Sequence, residues 1–218
     1  MSLYKLSPSL LSCDFTRLGE EVKLLEAQNV PYIHIDVMDG LFVPNISIGI
    51  PVVECLRKIT DLVLDTHLMI VEPERYIKQF ADAGSDIINF HIEACKDPLK
   101  AIADIHSFGK KAGVTIKPKT VVKDVLPYLE AADLVLVMSV EPGFGGQGLI
   151  PETLDKVKQL AEYKKVNKLS FELEIDGGVK LDNLEKVKAA GAEVIVAGSA
   201  VFKGDATANI KAFNDMLK

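Results

Sequence analysis

Imidazole and carboxylate side chains stand at the ends of three predicted strands, where they are able to share one site. These strands end in His34-Ile35-Asp36-Val37-Met38, His67-Leu68-Met69 and Glu174-Ile175-Asp176. Because side chains alternate between the two faces of a strand, each strand places these polar residues on one face, together with Met38 or Met69 in the first two strands. Two imidazoles and two carboxylates that meet at one point suit a divalent Zn, Fe, Mn or Co ion. The sequence therefore predicts a metal site formed by the two histidines and by carboxylates of these strand ends.

Glycine-rich segments follow the sixth, seventh and eighth predicted strands and favour a phosphorylated ligand. They are Gly143-Phe144-Gly145-Gly146-Gln147-Gly148, Asp176-Gly177-Gly178 and Gly198-Ser199. Glycine lets the backbone approach an anion closely, and backbone N–H groups at such turns bind phosphate. Phosphate sites of (β/α)₈ barrels are built from the loops after strands seven and eight. The sequence therefore indicates a phosphate contact beside the metal ligands.

Short apolar runs alternate with helical stretches along the whole chain, which gives eight strand–helix units. The predicted strands cover 4–9, 31–38, 62–69, 86–91, 113–116, 134–140, 169–175 and 193–197. The predicted helices cover 14–28, 48–58, 72–83, 97–108, 121–131, 151–164, 181–190 and 205–217. Strict alternation implies a parallel sheet with helices outside it. Eight units favour a single (β/α)₈ barrel over residues 1–218, and an open doubly wound sheet is the alternative.

A repeated turn marks two of the predicted helix-to-strand connections. Ala83-Gly84-Ser85-Asp86 and Ala190-Gly191-Ala192-Glu193 share the order alanine, glycine, small residue, acid. Glycine at this position suits a left-handed helix C-cap. We interpret both segments as structural turns.

Composition restricts the partners that the chain can have. Its 218 residues are 48% hydrophobic and carry 31 acids against 25 bases, a net charge of −6. No broad basic face is available for nucleic acid or an anionic membrane. No apolar run is long enough to span a bilayer, and the start, residues 1–5, lacks a secretory hydrophobic region. The three cysteines, Cys13, Cys55 and Cys95, do not indicate a disulfide framework, so a cytoplasmic protein is expected.

Six ordered segments resemble the ribulose-phosphate 3-epimerase family, and the resemblance covers nearly the whole chain. They are Ser7–Phe15, His34–Gly40 continuing through Phe42–Asn45, His67–Met69, Met138–Gln147, Asp176–Gly178 and Gly198–Ser199. The resemblance implies a (β/α)₈ barrel that interconverts D-ribulose 5-phosphate and D-xylulose 5-phosphate. It also implies that one divalent metal is held by His34, Asp36, His67 and Asp176.

The resemblance further implies the roles of individual residues. Asp36 and Asp176 are expected to be the two acid/base groups, one on each face of a planar enediolate. Met38, Met69 and Met138 are expected to form a water-poor wall around that intermediate. The implied substrate contacts are Ser9, His67, Gly143, Phe144, Gly145, Gly146, Asp176, Gly177, Gly178, Gly198 and Ser199. A homo-oligomer is expected.

Other activities remain open at this stage. The nearest alternative is 3-epimerisation of a six-carbon ketose phosphate such as allulose 6-phosphate by the same chemistry. A phosphosugar aldolase or decarboxylase is a different reaction class, and the decarboxylases typically pair a lysine with aspartates, where this chain has His67. A sugar-phosphate sensor is the non-enzymatic alternative, and it would need no pair of opposed acids. Lys117 stands where many relatives have asparagine, so an altered substrate contact is a further alternative.

Overall fold

The eight predicted strands are present in the structure, a computed structural model that describes residues 4–218. The expectation that no secretory region is present concerned residues 1–5, of which residues 1–3 lie outside the described range. The strands run over the following residues: β1 Lys5–Pro8, β2 Tyr32–Met38, β3 Val63–Met69, β4 Ile87–His91, β5 Lys111–Ile116, β6 Leu134–Met138, β7 Glu172–Asp176 and β8 Val194–Ala197. Each lies within about three residues of its predicted bounds.

All neighbouring strands are parallel and follow one another around a nearly closed barrel. The ladder order is β1-β8-β7-β6-β5-β4-β3-β2. Between the two remaining edges, β1 and β2, the pairing is reduced to a parallel bridge from Ser9 to His34. This arrangement confirms the (β/α)₈ barrel and excludes the open doubly wound sheet, in which the outer edges would stay apart.

Helices connect the strands on the outside of the barrel. The α-helices are α1 Leu18–Ala27, α2 Ile50–Arg57, α3 Ile77–Ala83, α4 Pro98–Ser107, α5 Thr153–Asn167, α6 Leu184–Ala190, α7 Ser199–Phe202 and α8 Ala206–Met216. Short 3₁₀ turns lie at Leu10–Ser12, Phe15–Arg17, Pro73–Arg75, Val122–Asp124 and Leu126–Tyr128. Among residues 4–218, no helix is both long and apolar enough to cross a membrane.

The predicted helix over 121–131 is wrong. That segment forms two 3₁₀ turns, Val122–Asp124 and Leu126–Tyr128, and no α-helix. Pro127 lies in the middle of the segment, where it has no N–H to donate and its ring clashes with the carbonyl four residues earlier. The apolar spacing was correct for burial, since Val125 and Leu129 are buried, but the proline prevents a regular helix.

The strands place apolar side chains on the outer face, whereas the barrel interior holds both polar groups and a smaller apolar cluster. Ile33, Ile35 and Val37 of β2 belong to the large apolar core together with residues of the helices. The alternate residues of β2 point into the barrel. At the amino-terminal end of the barrel, the phenol of Tyr32 donates a hydrogen bond to Glu172 (2.8 Å), and Lys5 forms an ion pair with the same carboxylate. These side chains cover the amino-terminal opening of the barrel. The interior groups His34, Asp65 and Glu174 are fully buried.

The predicted left-handed C-cap is confirmed at Gly84, and it provides a stability prediction. Gly84 has φ +106°, and a Cβ there would lie 2.5 Å from Cγ of Arg57. An L-residue in left-handed backbone costs about 1–2 kcal/mol, before any displacement of the arginine. Gly84→Ala should therefore lower the free energy of unfolding by at least that amount, measured by urea denaturation.

Gly109→Ala is the matched control for this change. Gly109 also has positive φ (+69°), but nothing lies within 4 Å of a Cβ built there. Both variants carry the backbone cost, and only Gly84→Ala carries the steric one. Equal losses in the two variants would contradict the packing argument at Arg57.

Candidate metal and substrate site

Three buried groups and the partly exposed Asp176 converge at the carboxyl ends of β2, β3 and β7. Nε2 of His34 lies 3.2 Å from Nδ1 of His67, and Oδ1 of Asp36 lies 3.2 Å from that same Nδ1. Asp176 completes the group, with Oδ2 at 4.0 Å from Nε2 of His34. One ligand atom from each of these residues lies within 4.8 Å of all the others. The structure thus brings together all four residues predicted as metal ligands.

This donor set fits a divalent cation. Two ring nitrogens and two carboxylates face one another, and His34 and His67 are fully buried. Neutral imidazole and ionised carboxylate are the forms in which these side chains bind Zn²⁺ and similar ions. A cation among them would satisfy both nitrogens and offset both negative charges. The cluster can therefore bind a metal ion.

A second layer of acids supports His34 from below. Nδ1 of His34 lies 2.7 Å from Oδ2 of Asp65, and 3.7 Å from Oε1 of Glu174. With a proton on Nδ1, His34 donates to Asp65 and presents Nε2 to the cluster, the tautomer that metal binding needs. Glu174, which the strand period places on the same face as Asp176, lies in this supporting layer.

The environments of the two aspartates differ. Burial raises the pKa of Asp36, but the charge and hydrogen bonds of His34 outweigh it and hold that pKa below its usual range. Burial and the charge of Asp36 raise the pKa of Asp176 to about 6. For His34, burial lowers the pKa, yet the charges of Asp36 and Asp65 outweigh it and the net shift is upward. Pairs of acids whose environments separate their pKa values are typical of acid/base sites.

A cavity opens directly above this cluster. The carboxylates of Asp36 and Asp176 reach it, and its wall includes the three predicted methionines, Met38, Met69 and Met138. Ser9 also lines it and donates a hydrogen bond from Oγ to Oδ2 of Asp36 at 2.5 Å. His67, predicted as both a metal ligand and a substrate contact, lies below the lining residues and is fully buried.

The predicted glycine segments form the far side of the same cavity. Its lining includes Gly143, Phe144, Gly145, Gly146, Gly177, Gly178, Gly198 and Ser199. At Gly178 (φ +67°), a Cβ would lie 2.2 Å from the backbone nitrogen of Leu149. At Gly198, a Cβ would lie 2.6 Å from Oγ of Ser12. Gly178 therefore requires glycine, because another part of the backbone passes close to it, whereas a side chain at Gly198 would have to displace the hydroxyl of Ser12.

Two loops across the mouth hold each other in place. Nδ2 of Asn45 donates a hydrogen bond to the carbonyl of Gly143 at 2.9 Å. Gln147 folds the glycine-rich loop on itself through hydrogen bonds from Nε2 to the carbonyls of Glu141 and Phe144. Phe144 is half exposed (55%) at the tip. The loop after β2 thereby positions the loop after β6.

The sequence interpretation missed two residues next to the site. His91 is fully buried at the end of β4, and its Nε2 lies 2.9 Å from Nε2 of His67. Glu93 follows it, with Oε2 at 3.3 Å from Nδ1 of His91. Burial lowers the pKa of His91 to about 4. For Glu93, burial raises the pKa, but hydrogen bonds led by that of His91 outweigh it and bring it to about 2. The spacing His91-x-Glu93 after a strand was the available signal.

Lys117, Cys13 and Cys95 do not line the cavity. The ammonium of Lys117 sits over the ring of Phe42, 3.6 Å from its centroid. Burial raises the pKa values of the Cys13 and Cys95 thiols to about 12. A thiol with so high a pKa is a poor nucleophile at neutral pH.

Comparison with known families and proteins agrees with this geometry. Residues 5–202 match the family model described as "Ribulose-phosphate 3 epimerase family". A ribulose-phosphate 3-epimerase from Synechocystis sp. is 50% identical over 199 residues, which cover 90% of this chain and 86% of that protein. One from Bacillus subtilis is 48% identical over 201 residues, which cover 92% and 93%.

Solved structures support the same fold at lower identity. A crystal structure of KGPDC from Streptococcus mutans superimposes with a TM-score of 0.73 at 18% identity. The superposition covers 99% of this chain and 97% of that one. At 18% identity, this similarity supports the barrel fold only.

Proposed function

The chain belongs to the ribulose-phosphate 3-epimerase family and is an isomerase of pentose phosphates, and on that premise we propose how its site inverts C3 of ribulose 5-phosphate. The observation that carries the proposal is the pair of carboxylates, Asp36 and Asp176, at the floor of one cavity. They come from β2 and β7, which are separated around the barrel by β1 and β8. The two acids therefore approach the cavity from different sides.

Inversion at C3 needs a proton removed from one face and another returned on the opposite face. We assign Asp36 and Asp176 as acceptor and donor in one direction, with the roles exchanged in reverse. One must begin ionised and the other protonated, so their titration belongs to the pair. The more enclosed Asp36, which accepts from Ser9, and the more exposed Asp176 give the two groups unlike surroundings.

One divalent ion, Zn, Fe, Mn or Co, would be held by His34, Asp36, His67 and Asp176. When bound, such an ion supplies Lewis-acid stabilisation of negative charge on the C2 and C3 oxygens of the substrate, worth several kcal/mol. Each aspartate has two oxygens, so one can bind the ion while the other exchanges a proton. Met38, Met69 and Met138 exclude water from the planar enediolate and offer a polarisable surface.

The substrate phosphate is proposed to bind at Gly177, Gly178, Gly198 and Ser199. Backbone N–H groups can approach it there because these positions carry little or no side chain. Ser9 and residues 143–146, which line the cavity, are proposed as further substrate contacts. His67, below that lining, is proposed to act on the substrate only through the ion that it helps to hold. In this arrangement the sugar chain spans the distance between the phosphate loops and the two acids.

The remaining properties are also proposals. We propose that residues 1–218 form one domain, that the protein is a cytoplasmic homo-oligomer, and that it binds neither nucleic acid nor membrane. The net charge of −6 supports the last point. It does not oppose a small phosphate, because a bound cation and backbone N–H groups make the mouth locally positive.

NMR in D₂O tests the reaction directly. Wild-type protein supplied with divalent metal and ribulose 5-phosphate should yield xylulose 5-phosphate that carries deuterium at C3, because the donated proton comes from an acid that exchanges with solvent. Allulose 6-phosphate under the same conditions measures the six-carbon alternative, and it should react more slowly. Product without deuterium, or no product with any of the four metals, would contradict the mechanism.

A further inference from the structure

His67 is linked to a buried chain of hydrogen-bonding groups that leads away from the metal cluster. Its Nδ1 faces His34 and Asp36, and its Nε2 lies 2.9 Å from Nε2 of His91. Nδ1 of His91 then lies 3.3 Å from Oε2 of Glu93. The planes of the two histidine rings are inclined by only 27°, with centroids 5.0 Å apart, so their Nε2 atoms meet edge to edge. Both rings are completely buried.

Proton positions along this chain follow from counting donors and acceptors. If Nδ1 of His67 binds a metal, that atom carries no proton, and the neutral ring carries its proton on Nε2. Only one proton can lie between the two Nε2 atoms, and it belongs to His67. Nε2 of His91 is therefore the acceptor. Neutral His91 then carries its own proton on Nδ1, where Glu93 is the acceptor. Each tautomer fixes the next.

Glu93, at the far end of this hydrogen-bonded chain of side chains, is anchored by the loop after β5. Oε1 of Glu93 accepts a hydrogen bond from the backbone nitrogen of Lys117 at 2.8 Å and another from the hydroxyl of Thr120. Lys156 holds this loop through its ammonium group, which donates to the carbonyls of Lys117, Pro118 and Thr120. Glu93 therefore has little freedom to rotate away from His91.

We propose that His91 and Glu93 are positioning residues for the metal ligand His67. They hold the tautomer that leaves Nδ1 free, and the carboxylate increases the electron density of the imidazole through His91. This inference rests on the proposed metal site. Partners that orient a metal-binding histidine typically change metal affinity by about 10–100-fold when they are replaced.

His91→Phe and His91→Gln separate this role from packing. Phenylalanine keeps a ring against Phe42, whose centroid lies 4.8 Å from that of His91, but offers no acceptor. Glutamine places an amide oxygen near the position of Nε2 and restores the acceptor. We expect the Kd for Zn²⁺, measured by chelator competition, to rise about 10–100-fold in His91→Phe. In His91→Gln the Kd should lie close to the wild-type value.

Glu93→Ala tests the end of the chain, and Glu72→Gln is its charge-matched control. Glu72 follows β3 at the same end of the barrel and pairs with Lys96 and Arg75, away from the site. Glu93→Ala should weaken Zn²⁺ binding and change the ligand-field spectrum of the Co²⁺ form. Glu72→Gln should change neither. The ¹⁵N spectrum of the Zn²⁺ form should show protons on Nε2 of His67 and Nδ1 of His91.

The outcomes distinguish this inference from the proposed function. If wild-type protein binds none of the four metals, the proposed metal site itself fails. If the wild type binds Zn²⁺ and the folded His91→Phe and Glu93→Ala variants bind it equally well, the positioning role is wrong. A proton on Nδ1 of His67 in the Zn²⁺ form would overturn it as well.

Discussion

Asp176→Asn should abolish epimerisation while proton exchange at C3 continues in one of the two epimers. Asparagine cannot serve as the second acid/base group, but Asp36 still faces one side of the substrate. That carboxylate can remove a proton and return deuterium to the same face, without inversion. General acid–base catalysis by one side chain is worth about 10²–10⁴-fold, so the rate of epimerisation should fall by at least that factor. The measurement is NMR of deuterium incorporation in D₂O, with each epimer supplied separately.

Asp36→Asn should give the reciprocal result, with exchange confined to the other epimer. Metal content must be determined for both variants, because asparagine keeps only one ligand oxygen. Asp182→Asn is the matched control, since Asp182 is exposed just beyond Gly178 and lines no part of the cavity. It should react at the wild-type rate. Exchange of the same epimer in both site variants would contradict a mechanism with one acid on each face.

The barrel and the four-residue cluster were predictable because both depend on local periodicity. Alternation along β2 places His34 and Asp36 on the interior side, opposite the apolar Ile33 and Ile35, and the structure has this arrangement. Parallel strands end at the same edge of the barrel, so polar strand ends must meet there. The glycine loops followed from the same argument, since they immediately continue three of those strands.

Features that depend on contacts between distant segments were not predictable. The link from His91 to His67 is one such feature, because the contact between their rings depends on the relative height of β3 and β4 and on rotamers. Lys117 looked like a possible substrate contact, but its side chain turns to the ring of Phe42, which reaches it from the loop after β2. The helix predicted over 121–131 does not form for a local reason. The apolar spacing of this segment is helical, but Pro127 interrupts it.

Removal of divalent metal should lower both the activity and the melting temperature. The four donors meet only in the folded chain, so a bound ion stabilises the native state by mass action. At a free-ion concentration 100-fold above Kd, this stabilisation is about 2.7 kcal/mol. For a chain of this size, about 2–4 °C per kcal/mol gives a fall in Tm of roughly 5–11 °C on chelation. Calorimetry with and without chelator measures it.

The His34→Gln variant shows whether that change comes from the cluster. It removes one ligand nitrogen and the support of Asp65, so its Tm should respond little to chelator even where it folds normally. His67→Asn is a second variant with the same expectation if the first does not fold. Activity of the stripped wild type should fall by more than about 100-fold, as expected when several kcal/mol of charge stabilisation is lost, and return with added ion. A wild-type Tm that is unchanged by chelator would mean that these donors hold no ion, and the stabilisation of the enediolate would then have to come from protein groups alone.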